Sequence, residues 1–151
     1  MSTIQKQIEI KNRKASFEFS FLEKYIAGMV LLGSEIKSIR QGKANLSDAY
    51  CVFVKGELWI RNLHINEYEK ATHYTHVPLR ERKLLLTANE LKKLEKKLKD
   101  QGLTIIPTKL FINEKGFAKL EIALAKGKKI YDKREDIKKK DTQRELQRKL
   151  K

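Results

Sequence analysis

TIIPTKLFINEKGFAKLEIALA, residues 104–125, holds two runs of strand character around a short polar break. In the second run Ala118, Leu120, Ile122 and Leu124 recur at period two, with Lys119 and Glu121 between them. Successive strand side chains point to opposite faces, so this spacing predicts one buried and one wet face. The NEKG break predicts a hairpin. Pro107 lacks the N–H that a ladder needs, which puts the first run at an edge or a bulge.

The same reading extends upstream. AYCVFV and ELWIRNL flank Lys55-Gly56, a second hairpin signal, because glycine supplies the positive φ of a tight turn. ASFEFSFL, from Ala15, sets Phe17, Phe19 and Phe21 against Ser16, Glu18 and Ser20 and predicts a half-buried strand. YIAGMVLL predicts the return strand of that hairpin, with Gly28 as a bulge. SEIKSIRQ is expected to be a short helix capped by Ser34 and ended by Gly42. Thr87 and Glu90 form a capping box for a longer helix, with Leu91, Leu94 and Leu98 on one stripe and Gly102 as its stop. HINEYEKATHYTHVPLRER fits no period and predicts a long connection with a turn of helix; KLLL is a short apolar run after it. Six strands, two short helices and one longer helix make a mainly β (α+β) chain. The repeated hairpins predict an OB-like antiparallel β-barrel with flanking helices.

Composition bounds the partners. The chain has 151 residues, room for one ordinary domain. Its charged fraction of 35% exceeds the ~25% of an average globular chain. Lys and Arg number 34 against 19 Asp and Glu, a net charge of +15. Such a charge attracts phosphate polymers or anionic membranes. No run of ~18 apolar residues spans a bilayer, and MSTIQKQIEIKNRKA lacks the apolar core of a secretory signal. Cys51 is the only cysteine and sits in the strand-like YCVFV, where a buried, inert thiol is expected. These features predict a cytoplasmic protein.

Residues 126–151 carry 12 Lys and Arg against 5 Asp and Glu. That asymmetry predicts a flexible N-terminus over residues 1–14, a barrel over 15–125 and a basic tail over 126–151. After Asp132 the only aliphatic residues of the tail are Ile137, Leu146 and Leu150, too few for a core stripe. The composition suits a segment disordered when free and ordered on a partner, and equally a permanently solvated tail.

Catalytic signatures are missing. His73 and His76 are three apart, but no acid or thiol at ligand spacing accompanies them or His64. There is no phosphate loop and no nucleophile elbow. The sequence therefore predicts no enzyme, no metal and no cofactor. RNA binding needs cations for phosphates, with aromatics or amides for exposed bases. EIKSIRQGKAN supplies Lys37, Arg40, Lys43 and the amide of Asn45. PLRERKLLL supplies Arg80, Arg82 and Lys83, with the alternate pair Arg80 and Arg82 pointing the same way if extended. The opening stretch is a third cluster. On helix 88–101 lysines alternate with Glu90, Glu95 and Asp100, which reads as an ordinary wet surface.

Three blocks in order, AGMVLLGSEIKSIRQGKANLSDAY, RERKLLL and GKKIYDKRE, make the chain resemble the small protein B family, the SsrA-binding proteins of bacterial trans-translation. The resemblance runs from about Asn12 to the C-terminus. It implies an OB-like barrel that binds the tRNA-like domain of transfer-messenger RNA. It further implies a tail, disordered in the free protein, that folds as a helix in the empty messenger channel beside the small-subunit decoding centre. Elongation factor Tu and alanyl-tRNA synthetase are implied as partners through the RNA, with no membrane. The tail residues implied are Gly127, Lys128, Lys129, Tyr131, Asp132, Lys133, Arg134 and Lys138, with Tyr131 stacking on a base and Asp132, Lys133 and Arg134 matching the family's Asp-Lys-Arg element. Leu85 and Thr87 fall where the family shows sensitivity in RNA binding. Many members carry an acid before the Ala-Gly pair, where this chain has Ile26.

Overall fold

The structure is a computed structural model that describes residues 8–68, 75–99 and 102–128. Its longest hairpin is the one that residues 104–125 predict. Strand β8 (Leu103–Ile112) pairs antiparallel with β9 (Ala118–Gly127) along its whole length, from Leu103↔Lys126 to Ile112↔Ala118. Ile105, Leu110, Leu120, Ile122 and Leu124 are buried, as the alternation requires. The register shifts between Pro107 and Lys109, which is the expected bulge. At the turn Asn113 Oδ1 accepts from Lys115 N–H and Phe117 N–H.

The second expected hairpin joins β4 (Tyr50–Val54) to β5 (Glu57–Arg61). Lys55 and Gly56 both have positive φ, 50° and 78°, the mirror-image turn that matches strand twist. β5 then pairs with β7 (Arg82–Leu85), β7 with β2 (Phe19–Met29), and β2 with β9. Cys51 of β4 meets Ile105 of β8 and closes the ring. The result is a six-stranded antiparallel barrel, in the order β8-β4-β5-β7-β2-β9 and back to β8. The mainly β barrel with short helices is as expected. Among the described residues there are nine strands rather than six, because β1 (Glu9–Lys11), β3 (Ala44–Asn45) and β6 (His64–Ile65) are too short to show a period. β3 pairs only with β6, and β1 adds to the outside of β8.

Inside the barrel Leu58, Ile60, Leu84, Ile105, Leu110, Leu120 and Ile122 are sealed from solvent, joined by Ile39 from α2 (Gly33–Arg40) and Leu94 from α3 (Ala88–Leu98). Each such side chain contributes about 1.5–3 kcal/mol by leaving water. Cys51 is buried, and burial pushes its thiol well above the ordinary range, so it is inert.

Four expectations need correction. ASFEFSFL is not one strand. Arg13–Glu18 forms helix α1, whose cap Asn12 accepts from Ala15 N–H at 3.1 Å while its amide donates to Pro107 and Leu46 carbonyls, and Phe17 stands 79% exposed. Nor does a hairpin follow: Phe19–Met29 is one continuous strand with its bulge between Phe21 and Glu23, because LEKY carries no turn residue. Residues 9–14 are built into β1 and α1 rather than loose; residues 1–7 lie outside the described part. The barrel also reaches past residue 125. Gly127 pairs with Phe19, and Lys128 N–H donates to Glu18 O at 2.6 Å, so these two residues finish β9 and its exit. The expectations for Lys129, Tyr131, Asp132, Lys133, Arg134 and Lys138 fall outside the described residues, as does His73.

Candidate nucleic-acid interface

Helix α2 begins after Leu32, whose N–H donates to the Glu35 carboxylate at 2.8 Å. Glu35 is the third residue of the helix, where a carboxylate also meets the positive end of the helix dipole. Ser34 is therefore not the cap. Its hydroxyl pairs with His76 Nδ1 at 2.9 Å, and His76 Nε2 pairs with the Ile65 carbonyl at 2.8 Å. The helix leaves through Gln41 into Gly42 at φ +72°, as expected.

Glu35 is fully buried and gathers both expected arginines. Arg80 Nη2 donates to Oε1 at 2.6 Å, and Arg82 Nε donates to Oε2 at 2.5 Å. The two do point the same way, but toward an acid. Arg82 is sealed from solvent and also donates through Nη1 to Leu63 O at 2.6 Å and through Nη2 to Pro78 O at 3.1 Å. It is corrected from an RNA contact to a structural residue, because its side chain is sealed from solvent with the guanidinium turned onto Glu35, Leu63 and Pro78. Burial alone would push the Glu35 carboxyl up. The Arg80 and Leu32 hydrogen bonds, with the charge and hydrogen bond of Arg82, outweigh that and hold it below the ordinary carboxylate range. Burial lowers the Arg82 guanidinium, and Glu35 opposes it. This pair binds α2 to the start of β7, and Ser38 Oγ on Asn66 O at 2.7 Å ties the helix to the segment after β6.

The outer face of α2 is what that anchoring presents. Lys37 and Arg40, three apart, are exposed. Lys37 Nζ stands 5.5 Å from the centre of the Tyr68 ring, a cation beside a flat aromatic. Arg40 Nη2 reaches the Gly116 carbonyl only at 3.5 Å. Lys43 follows at the helix exit, half-buried, and Asn45 is exposed in β3 with its Oδ1 on Ser47 N–H at 2.8 Å. The first cluster is thus brought together. The second is split: Arg80 is half-buried on Glu35, Arg82 is inside, and Lys83 pairs with Glu57 at 2.5 Å.

Leu85 is 50% exposed on β7 opposite Gly28, where a Cβ would lie 3.4 Å from the Leu85 Cβ. Thr87 caps α3: its Oγ1 accepts from Glu90 N–H at 3.2 Å, and the Glu90 carboxylate accepts from Thr87 N–H at 3.1 Å. Its hydroxyl is a helix cap first. Sequence reasoning missed Glu35 and Asn12. An acid three residues into a helix, facing two arginines at alternate positions, was the available signal for the first. Among the described residues no three His, Cys, Asp or Glu side chains form a group that could hold a metal, and no helix is long and apolar enough to cross a membrane.

The sequence model of the SmpB protein family matches residues 9–151. An SsrA-binding protein of Cytophaga hutchinsonii is 61% identical over 150 residues, covering 98% of each chain. One from Phocaeicola vulgatus is 59% identical, covering 95% of this chain and 96% of its own. A solved chain reported under "tmRNA-SmpB: a journey to the center of the bacterial ribosome" superposes with a TM-score of 0.70 at 43% identity. That match covers 83% of this chain and 88% of the other.

Proposed function

The chain belongs to the SmpB protein family, and we propose on that premise that it binds the tRNA-like domain of transfer-messenger RNA and carries it to stalled ribosomes for trans-translation. The observation that carries this reading is the match over residues 9–151, which includes both the barrel and the basic C-terminal segment. The interface is the α2 face, with Lys37, Arg40, Lys43 and Asn45 on the RNA backbone and its edges. Leu85 adds an apolar contact from β7. Glu35, Arg80 and Arg82 position that face without touching RNA through Arg82. The protein works by binding rather than by catalysis, in the cytoplasm. Elongation factor Tu and alanyl-tRNA synthetase reach it through the RNA.

The segment from Lys129 onward acts as the sensor. A vacant messenger channel is walled by phosphates, so a Lys/Arg-rich segment replaces the counterions of the absent strand. Bound messenger fills the same volume and excludes it. Tyr131 stacks on a base of the decoding centre, and Lys133, Arg134 and Lys138 meet phosphates.

The test separates the two parts. Tagged full-length protein pulled from its own cytoplasm should recover one dominant tRNA-like RNA; recovery of ribosomal RNA alone would overturn the reading. Lys133→Ala with Arg134→Ala should keep that RNA and abolish rescue of stalled ribosomes. Equal loss of RNA affinity in this variant and in α2 variants would merge the two parts into one.

A further inference from the structure

Helix α1 carries its charges the wrong way round. Arg13 and Lys14 open it, at the positive end of the helix dipole, and Glu18 closes it, at the negative end. No basic residue of its own stands in its last turn. It is six residues long, well under the ~12 at which an isolated helix is marginal in water. α1 forms because residues from elsewhere answer each end. At the start, the buried Asn12 caps it and Asp48 pairs with Lys14 at 3.1 Å. At the close, Ala15 O accepts from Phe19 N–H, and Lys128 serves two further carbonyls. Its N–H donates to Glu18 O at 2.6 Å, and its Nζ donates to Ser16 O at 3.0 Å, across 112 residues of sequence. A lysine at the last carbonyls is the closing cation that the sequence of α1 omits.

The two ends of α1 are tied to different parts of the molecule. Asn12 donates its amide to Leu46 O at 3.1 Å, and Lys14 holds Asp48. Asn45, with its Oδ1 on Ser47 N–H, belongs to the same loop, so this end of α1 is fastened where the α2 cluster ends. The other end is fastened to the exit of β9, where the basic stretch of the sequence begins. Six residues at ~1.5 Å each make a strut about 9 Å long between them.

We propose that Lys128 is a positioning residue for ribosome rescue: its ammonium closes the end of α1, and α1 then holds the root of the basic segment at a set distance from the α2 cluster. The inference rests on the reading of the two parts above. It gives Lys128 a different task from Lys133 and Arg134, which meet phosphates. An ammonium has three donors, so a phosphate contact by the same group is the competing assignment, and the salt dependence of binding decides between them.

The experiment uses the full-length chain with transfer-messenger RNA and stalled ribosomes. It reads the rate of ribosome rescue, Tm, and the slope of log ribosome affinity against log salt. Lys128→Met keeps the backbone N–H bond and removes the Nζ bond. It should lower the rate several-fold, leave Tm within a degree or two, and leave the slope unchanged. Lys128→Arg keeps a cation at the same carbonyl and should restore most of the rate. A slope smaller by ~0.9 in Lys128→Met makes the residue a phosphate contact and overturns the proposal. An undiminished rate overturns it too. Glu18→Lys, added to Lys128→Met, gives α1 its own closing cation without a side-chain tie to the exit of β9. The rate should stay low; its return would show that Lys128 serves the helix alone. Lys133→Ala with Arg134→Ala is measured beside these variants. If that chain loses rescue while Lys128→Met keeps it, the inference about Lys128 falls by itself. If it too keeps full rescue, the sensor reading falls as well.

Discussion

Arg82 Nε donates to Glu35 Oε2 at 2.5 Å with both side chains fully out of solvent, across 47 residues of sequence. The pair fixes α2 to the strand side of the barrel. Four predictions follow from this anchoring and from the faces it presents.

Removing one partner leaves the other charge buried and alone. Arg82→Met should cost about 3–5 kcal/mol in urea unfolding. Glu35→Leu combined with Arg82→Met should recover much of that loss, since no lone charge remains. If the double variant is no better than the single one, the cost lies in packing rather than in the pair.

The carboxyl of Glu35 sits below its ordinary value in the folded state. The unfolded chain therefore binds that proton first as pH falls. The stability it contributes is present above about pH 4.5, the ordinary carboxylate value, and is lost as pH drops through the lower folded value. Glu35→Gln should flatten the fall of Tm below that pH. A slope matching the parent chain would assign acid sensitivity to other groups.

Lys37→Ala and Arg40→Ala remove exposed cations with no core contact. Each should leave Tm within a degree or two, as expected of exposed positions. Each should also lower the salt slope of RNA binding by about 0.9, one phosphate contact. Arg82 substitutions should instead lower Tm and weaken RNA binding only as far as α2 detaches.

Leu85 is half exposed, so its apolar surface contributes little to folding. Leu85→Asn should change stability by less than ~1 kcal/mol and weaken RNA binding several-fold in a filter or fluorescence titration. Unchanged RNA affinity would remove Leu85 from the interface.

What could be read in advance was local. Lys55-Gly56, the Thr87–Glu90 box and the stop at Gly42 each depend on one turn of chain, and all stand as expected, whereas α3 already ends at Leu98 with Lys99 as its cap, before Gly102. Reading failed where distant residues decide. Asn12 caps α1 because Leu46 and Pro107 carbonyls hold its amide, 34 and 95 residues away, and that capping converts an apparent strand into a helix. Arg82 looked like a surface cation because its residue type usually is one; only the closed barrel brings Glu35 to it. The α2 cluster was legible because its residues are neighbours on one helix and its exit.

The pairing of Gly127 with Phe19, and of Lys128 with the end of α1, fixes the phase of the last residues of β9. Strands repeat every two residues, so one extra residue between Leu124 and Gly127 would exchange the faces of the β9 side chains after it, while two would restore them. Which face each closing side chain of β9 presents is thus an odd-or-even property of the strand's own length.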